Sequence, residues 1–145
     1  MKTLTNTNAI DYMLADDNRA LLHVVNCKSV MASGIALEIK NRIPEAYKEY
    51  LKANQKLGNI SFGGRVVNLY AQDLYGIGRR QLNYGALSAC FSYFKMLCEN
   101  ETFEIVIPYL MGCDRAGGDW EVVMELIEFG LSDFNVTICA IGDVK

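Results

Sequence analysis

The chain has 145 residues, 51% of them hydrophobic and 21% charged. That is a single-domain length and a globular mixture, and it excludes a disordered tail, a fibre and a charged linker. The net charge of −3 is the opposite of the basic footprint with which proteins grip nucleic acid, so any polyanionic ligand falls to backbone N–H groups and helix ends.

Lys2–Asn6 is expected as a short edge strand and Ile10–Leu14 as a helical turn. Ala20–Cys27 is a compact apolar run, β-branched at its centre, and predicts a buried strand. Gly34–Arg42 places Ile35, Ile39 and Ile43 on one helical face, and Pro44 opens a second helix. In that helix Ala46, Tyr47, Tyr50 and Leu51 share a side, and Gly58 is expected to close it. Asn59–Phe62 and Arg65–Gln72 read as strands with Gly63 and Gly64 turning between them. Asp73–Asn83 is loop-like. It holds Arg79 and Arg80, a phosphate clamp or a solvated loop, with Tyr75 and Tyr84 flanking it. Tyr84–Cys98 is an amphipathic helix carrying Leu87, Phe91, Phe94, Met96 and Leu97. Phe103–Tyr109 is a buried strand, Asp119–Leu131 a helix with Asp119 at its N-cap, and Val136–Ile141 the last strand. Strands alternating with helices give an α/β class with a largely parallel sheet, in one domain spanning 1–145.

The five cysteines form no CxxC pair and His23 is the single histidine, so no zinc pattern can be drawn. No apolar run reaches the roughly 20 residues of a membrane span. Free thiols in a cytosolic compartment are the simplest expectation, with Cys90, Cys98 and Cys139 as small buried hydrophobes.

Two segments, His23–Lys40 and Ile107–Val123, share a plan: buried strand, small-residue loop, helix start. Glycines let a backbone approach a ligand, and helix N-termini attract phosphate. In α/β sheets such loops lie at the carboxyl ends of the strands, where ligands collect. The pair points to a phosphate ester or a diphosphate. Neither loop carries GxxxxGK[ST] or GxGxxG, so a P-loop NTPase and a Rossmann dehydrogenase lose support.

Val25-Asn26-Cys27 followed by Met31-Ala32-Ser33-Gly34-Ile35-Ala36 resembles the VNC…MGxGIA signature of macrodomains. Ile107-Pro108-Tyr109, Gly112-Cys113 and Gly117-Gly118-Asp119-Trp120 resemble that family's second signature, IPYxIGCGLAGGDW in one branch, and Asn68-Leu69-Tyr70-Ala71-Gln72 is similar to its NLxxQ strand. The resemblance is to the stand-alone ADP-ribose 1″-phosphate phosphatases of yeast and bacteriophages, and also to the ADP-ribose-glutamate hydrolase branch.

The resemblance implies a three-layer α/β/α fold with a mixed, largely parallel sheet, and a cleft for ADP-ribose or its 1″-phosphate. It needs no cofactor, no metal and no membrane. Thr7, Asn8 and Ala9 would meet adenine. Val24, Val25 and Asn26 would end the strand near the distal ribose, Asn26 being either a ligand or a loop cap. Met31, Ala32, Ser33, Gly34, Ile35 and Ala36 would line the distal ribose and diphosphate. Met111, Gly112, Cys113, Asp114, Arg115, Ala116 and Gly117 would wrap the diphosphate from the other side. His23 would move a proton or be a core histidine. Asp119 would activate water, cap the helix, or do both.

Gln72 and Ala116 stand where the glutamate-hydrolase branch has its lysine and its aspartate, which argues against that mechanism. Dephosphorylation of ADP-ribose 1″-phosphate is the leading expectation. Binding of ADP-ribose without catalysis is second and mono-ADP-ribosyl hydrolysis third.

Overall fold

The computed structural model describes residues 1–74, 80–114 and 116–144. Along the chain they form β1 (Lys2–Leu4), α1 (Ala9–Leu14), β2 (Arg19–Asn26), α2 (Gly34–Arg42), α3 (Pro44–Lys52), β3 (Ile60–Gly63), β4 (Val66–Gln72), α4 (Tyr84–Leu97), β5 (Glu104–Pro108), α5 (Trp120–Gly130) and β6 (Asn135–Cys139). The sheet order is β1-β6-β5-β2-β4-β3. Among the described strands only β3 runs antiparallel, against β4.

The inner strands β2, β4 and β5 carry the apolar runs because helices cover both faces of the sheet. Leu22, Val24, Val67, Leu69 and Ile107 turn to one face, with Leu87 and Phe91 of α4 and Val123 and Ile127 of α5. Leu21, Val66 and Val106 turn to the other, with Ile10 and Met13 of α1, Ile39 of α2 and Ala46 of α3. Cys90, Cys98 and Cys139 are buried among these apolar groups. The result is the three-layer α/β/α sandwich expected, with its mixed sheet.

Local chemistry moved some boundaries. The β3–β4 turn is Gly64-Arg65, both at positive φ (58° and 63°), which suits a two-residue hairpin; Gly63 pairs within the strand instead. The second long helix ends at Lys52 because Ala53 turns extended, so Gly58 lies in the following loop. Leu51, Met96 and Leu97 face solvent, in the last turns of α3 and α4.

The connections fix where a ligand can enter. From β2 the chain crosses one face through α2 and α3 and returns at β3 and β4. From β5 it crosses the other face through α5 and returns at β6, on the opposite side. Adjacent β2 and β5 therefore send their connections to opposite faces, which makes their carboxyl ends the switch point of an α/β sheet, the place where ligand crevices form in such sheets.

Candidate functional site at the switch point

The loop after β2 is built from below. Asn26 ends the strand with 6% of its surface exposed. Its Oδ1 accepts from the N–H of Lys28 at 3.0 Å, and its Nδ2 donates to the Val30 carbonyl at 2.7 Å. Ser29 N–H donates to Gln55 Oε1 at 3.0 Å, and Val30 N–H to the Tyr50 hydroxyl at 3.1 Å. Three consecutive backbone donors are thus already taken by protein side chains. Met31 is buried, and the exposed stretch begins at Ala32. Ser33, the N-cap of α2, makes no side-chain bond to the helix, so the first-turn N–H groups of α2 are left for other acceptors. Gly34 has φ +58°, and a Cβ there would meet nothing within 4 Å.

The loop after β5 is held from the side. Leu82 is 2% exposed and reaches this loop from the segment that follows β4. The N–H groups of Gln81 and Leu82 both donate to the Ala116 carbonyl, at 2.8 and 3.1 Å. A Cβ on Gly112 would lie 3.0 Å from both Leu82 methyls, and one on Gly118 would lie 2.7 Å from the Gly112 carbonyl oxygen. These glycines make room for a leucine and a tight turn. Gly117, at φ +73°, needs the left-handed conformation. The helix end beyond is closed: the Asp119 carboxylate accepts from Glu121 N–H at 2.9 Å, and Asp119 N–H donates to the Tyr84 hydroxyl. A carboxylate seated on a helix N-terminus occupies the place an anion would take.

No known family's sequence profile matches the chain. Over 51 residues, 35% of the chain, it is 43% identical to the DNA ADP-ribosyl glycohydrolase of Mycobacterium tuberculosis; the matched stretch is 14% of that protein's length. The structure superposes on the macrodomain of M. tuberculosis DarG with a TM-score of 0.72 and 25% identity, over 97% of each chain. The fold is a macrodomain fold. Thermosipho africanus DarTG, solved in complex with ADP-ribose, superposes with a TM-score of 0.64 and 16% identity over 83% of this chain and 37% of that one.

On this macrodomain frame the expected site residues fall into three groups. Asn26 and residues 31–36 follow β2, and residues 111–114, 116 and 117 follow β5, so both groups lie at the carboxyl ends of adjacent strands. Val24, Val25, Met31, Met111 and Ala116 are buried, so their contribution to a ligand runs through the main chain. Cys113 is half-buried with its thiol pushed up to about 11, first by burial. Arg115, Tyr75 and Arg79 lie outside the described residues. Arg80 stacks its guanidinium on the Tyr84 ring at 4.4 Å.

Thr7, Asn8 and Ala9 sit further along the same crest, at the end of β1. Thr7 N–H donates to the Ala140 carbonyl at 2.8 Å. Asn8 caps α1 through Asp11 N–H and donates to Glu38 of α2 at 3.2 Å. Ala9 is buried.

His23 is apart from all of these. Its ring has no exposed surface and faces the α3 side of the sheet. Asn68 spends both amide hydrogens on the Ala46 carbonyl and Ser61 Oγ. Its Oδ1 therefore faces the ring, and His23 Nε2 is the donor, at 2.6 Å. Burial pulls the imidazole down to about 4. The expectation of proton transfer is corrected on this ground: His23 is a neutral core residue, out of reach of the crevice. Gln72 ends β4 with its amide bonded to the Leu74 carbonyl. Beside it is a cavity of about 410 Å³ lined by Cys27, Lys28, Gln55, Leu57, Asp73 and Leu74.

Sequence reasoning missed Tyr50, Gln55 and Leu82 as site-shaping residues. Tyr50 reads only as part of the apolar side of its helix, and Leu82 falls in the stretch Asp73–Asn83, which reads as a loop.

Proposed function

We propose that this macrodomain binds ADP-ribose in the crevice above β2 and β5. The observation that carries this is the N-terminus of α2, left without a side-chain cap by Ser33 and placed just after β2, where backbone N–H groups and the helix dipole favour a diphosphate without any lysine field. The ADP-ribose complex of T. africanus DarTG supports the same ligand. Thr7–Ala9 would take the adenine end, residues 31–36 the diphosphate and distal ribose, and residues 111–117 the opposite wall. Isothermal titration with ADP-ribose tests it, with AMP and ribose 5-phosphate as controls. The expected result is micromolar binding, about −8 kcal/mol, that neither control reproduces. Absence of both heat and thermal stabilisation would end the reading.

Turnover is the second reading, and two observations favour it. One is the 43% match to a DNA ADP-ribosyl glycohydrolase. The other is Asp119, exposed and with one carboxylate oxygen engaged as a cap, which would orient water at the distal ribose. Dephosphorylation of ADP-ribose 1″-phosphate would use the same carboxylate. With His23 buried and with Gln72 and Ala116 in place of a lysine and an aspartate, Asp119 carries this reading alone. Assays of phosphate release from ADP-ribose 1″-phosphate and of ADP-ribose release from modified DNA separate the two reactions. No product in either leaves binding as the function.

A further inference from the structure

Tyr50 is fully buried in α3, beneath the loop that follows β2. Its ring stacks on Tyr70 with centroids 5.6 Å apart. Its hydroxyl is the meeting point of that loop. It accepts Val30 N–H at 3.1 Å and has two acceptors for its own hydrogen, Asn26 Oδ1 at 2.7 Å and the Asn26 carbonyl at 2.8 Å. One phenol therefore fixes both ends of the five-residue turn 26–30. Burial pushes this phenol up, so it stays protonated and able to donate. Without it, Val30 N–H keeps only a long 3.4 Å contact with Asn26 Oδ1. The next residue, the buried Met31, leads through the exposed Ala32 into the uncapped turn of α2.

We infer that Tyr50 is a positioning residue for ADP-ribose recognition: its hydroxyl sets where residues 31–36 present their N–H groups, though it touches no ligand itself. The inference rests on the reading of the crevice as an ADP-ribose site. It goes beyond stability because the network offers an internal comparison. Tyr70 is buried in the same cluster and also carries a bonded hydroxyl, to Ser61 at 3.0 Å and to the Tyr50 carbonyl at 2.7 Å. That carbonyl keeps a second donor, Gln55 Nε2 at 2.7 Å. Losing the Tyr70 hydroxyl thus costs a buried hydrogen bond but leaves the loop's ties in place.

The experiment compares wild type, Tyr50→Phe and Tyr70→Phe by thermal unfolding, by ADP-ribose titration and by amide hydrogen exchange at Val30. Both variants keep the ring, and both should lose stability to a similar extent. Tyr50→Phe is expected to bind ADP-ribose about tenfold more weakly, the scale of one hydrogen bond, with faster exchange at Val30. Tyr70→Phe is expected to bind within about twofold of wild type, less than half a hydrogen bond's worth, with Val30 exchange unchanged. Equal affinities for Tyr50→Phe and wild type would overturn the inference. So would equal weakening by both variants, which would mean a generally loosened core. If wild type itself does not bind ADP-ribose, the reading of the site fails and the inference goes with it; if wild type binds and Tyr50→Phe binds as well, only the inference fails.

Discussion

The loops after β2 and β5 start from the same sequence plan and end in opposite states. Each follows a buried strand, contains small residues and runs into a helix. The first is tied from below by polar groups: Asn26, Tyr50 and Gln55 consume the N–H groups of residues 28–30 and leave the start of α2 open. The second is wedged from the side by the apolar Leu82, and its helix start is closed by Asp119. Glycine at a strand end therefore has two distinct meanings. At Gly34 it faces open space; at Gly112 and Gly118 it faces a leucine and a carbonyl. Only the first loop offers an anion a helix terminus, and the second contributes a wall.

The largest expected effect follows from the wedge. Leu82→Ala would leave a cavity under the second loop at a cost of about 3 kcal/mol. Urea unfolding should read that loss, and hydrogen exchange should show residues 110–118 loosened with residues 26–30 unchanged. If both loops loosen together, the two are not separately anchored.

Acid provides a similar effect on the side of the first loop, since His23 joins the Tyr50–Tyr70 pair beneath it through Asn68 and Ser61. In the folded chain this imidazole takes up a proton only near pH 4, against 6.5 for the free group. Between those values the unfolded chain binds the extra proton. Stability is therefore complete above about pH 6.5 and falls as pH drops toward 4, by up to about 3 kcal/mol, levelling off below. Glu104 also loses stability in acid: the hydrogen bonds from Thr137, Tyr12 and Arg19 hold its carboxyl below the usual range against its own burial. His23→Gln keeps a side-chain donor and isolates the histidine. Urea titrations across pH 4 to 7 should give a flatter profile for the variant, and parallel profiles would refute the assignment.

Next in size is a matched glycine pair. Gly118→Ala would drive a methyl against the Gly112 carbonyl oxygen, and overpacking of this kind costs about 2 kcal/mol. Gly34→Ala meets no neighbour and pays only for its left-handed backbone, about 1 kcal/mol. Thermal unfolding of the two variants should rank them in that order.

The apolar runs made the strands legible in the sequence, because β2, β4 and β5 are covered on both faces and need continuous hydrophobic stretches. The helix starts at Pro44, Asn83 and Asp119 follow local capping chemistry, and Asp119 was legible for that reason. What holds the loops was not legible. Tyr50 lies 20 residues from Val30 and Gln55 lies 26 from Ser29, and only the packed sheet brings them together. The same distance misled the reading of the glycines, since nothing near Gly112 in the chain announces Leu82. His23 sits on a strand buried on both faces, where a polar residue must find a partner inside; its register opposite Asn68 provides one, and no local pattern encodes that pairing.

The comparison can also be reversed by exchanging the two helix ends. Ser33→Asp would give α2 the carboxylate cap that α5 already has. Caps of this kind stabilise a helix by about 1 kcal/mol, so the variant should unfold at a slightly higher temperature. The same charge would stand where the diphosphate is proposed to bind, and ADP-ribose affinity should fall about fivefold, the scale of one charge at a helix terminus. Asp119→Asn is the smaller, complementary change. Asparagine caps about as well as aspartate, so stability should hold while the negative charge leaves the crevice. Under the binding reading, affinity for ADP-ribose then rises about twofold. Under the turnover reading, product formation stops while the ligand still binds, because an amide cannot take a proton from water at neutral pH. Unchanged affinity together with unchanged turnover would mean that Asp119 faces away from the ligand and serves α5 alone.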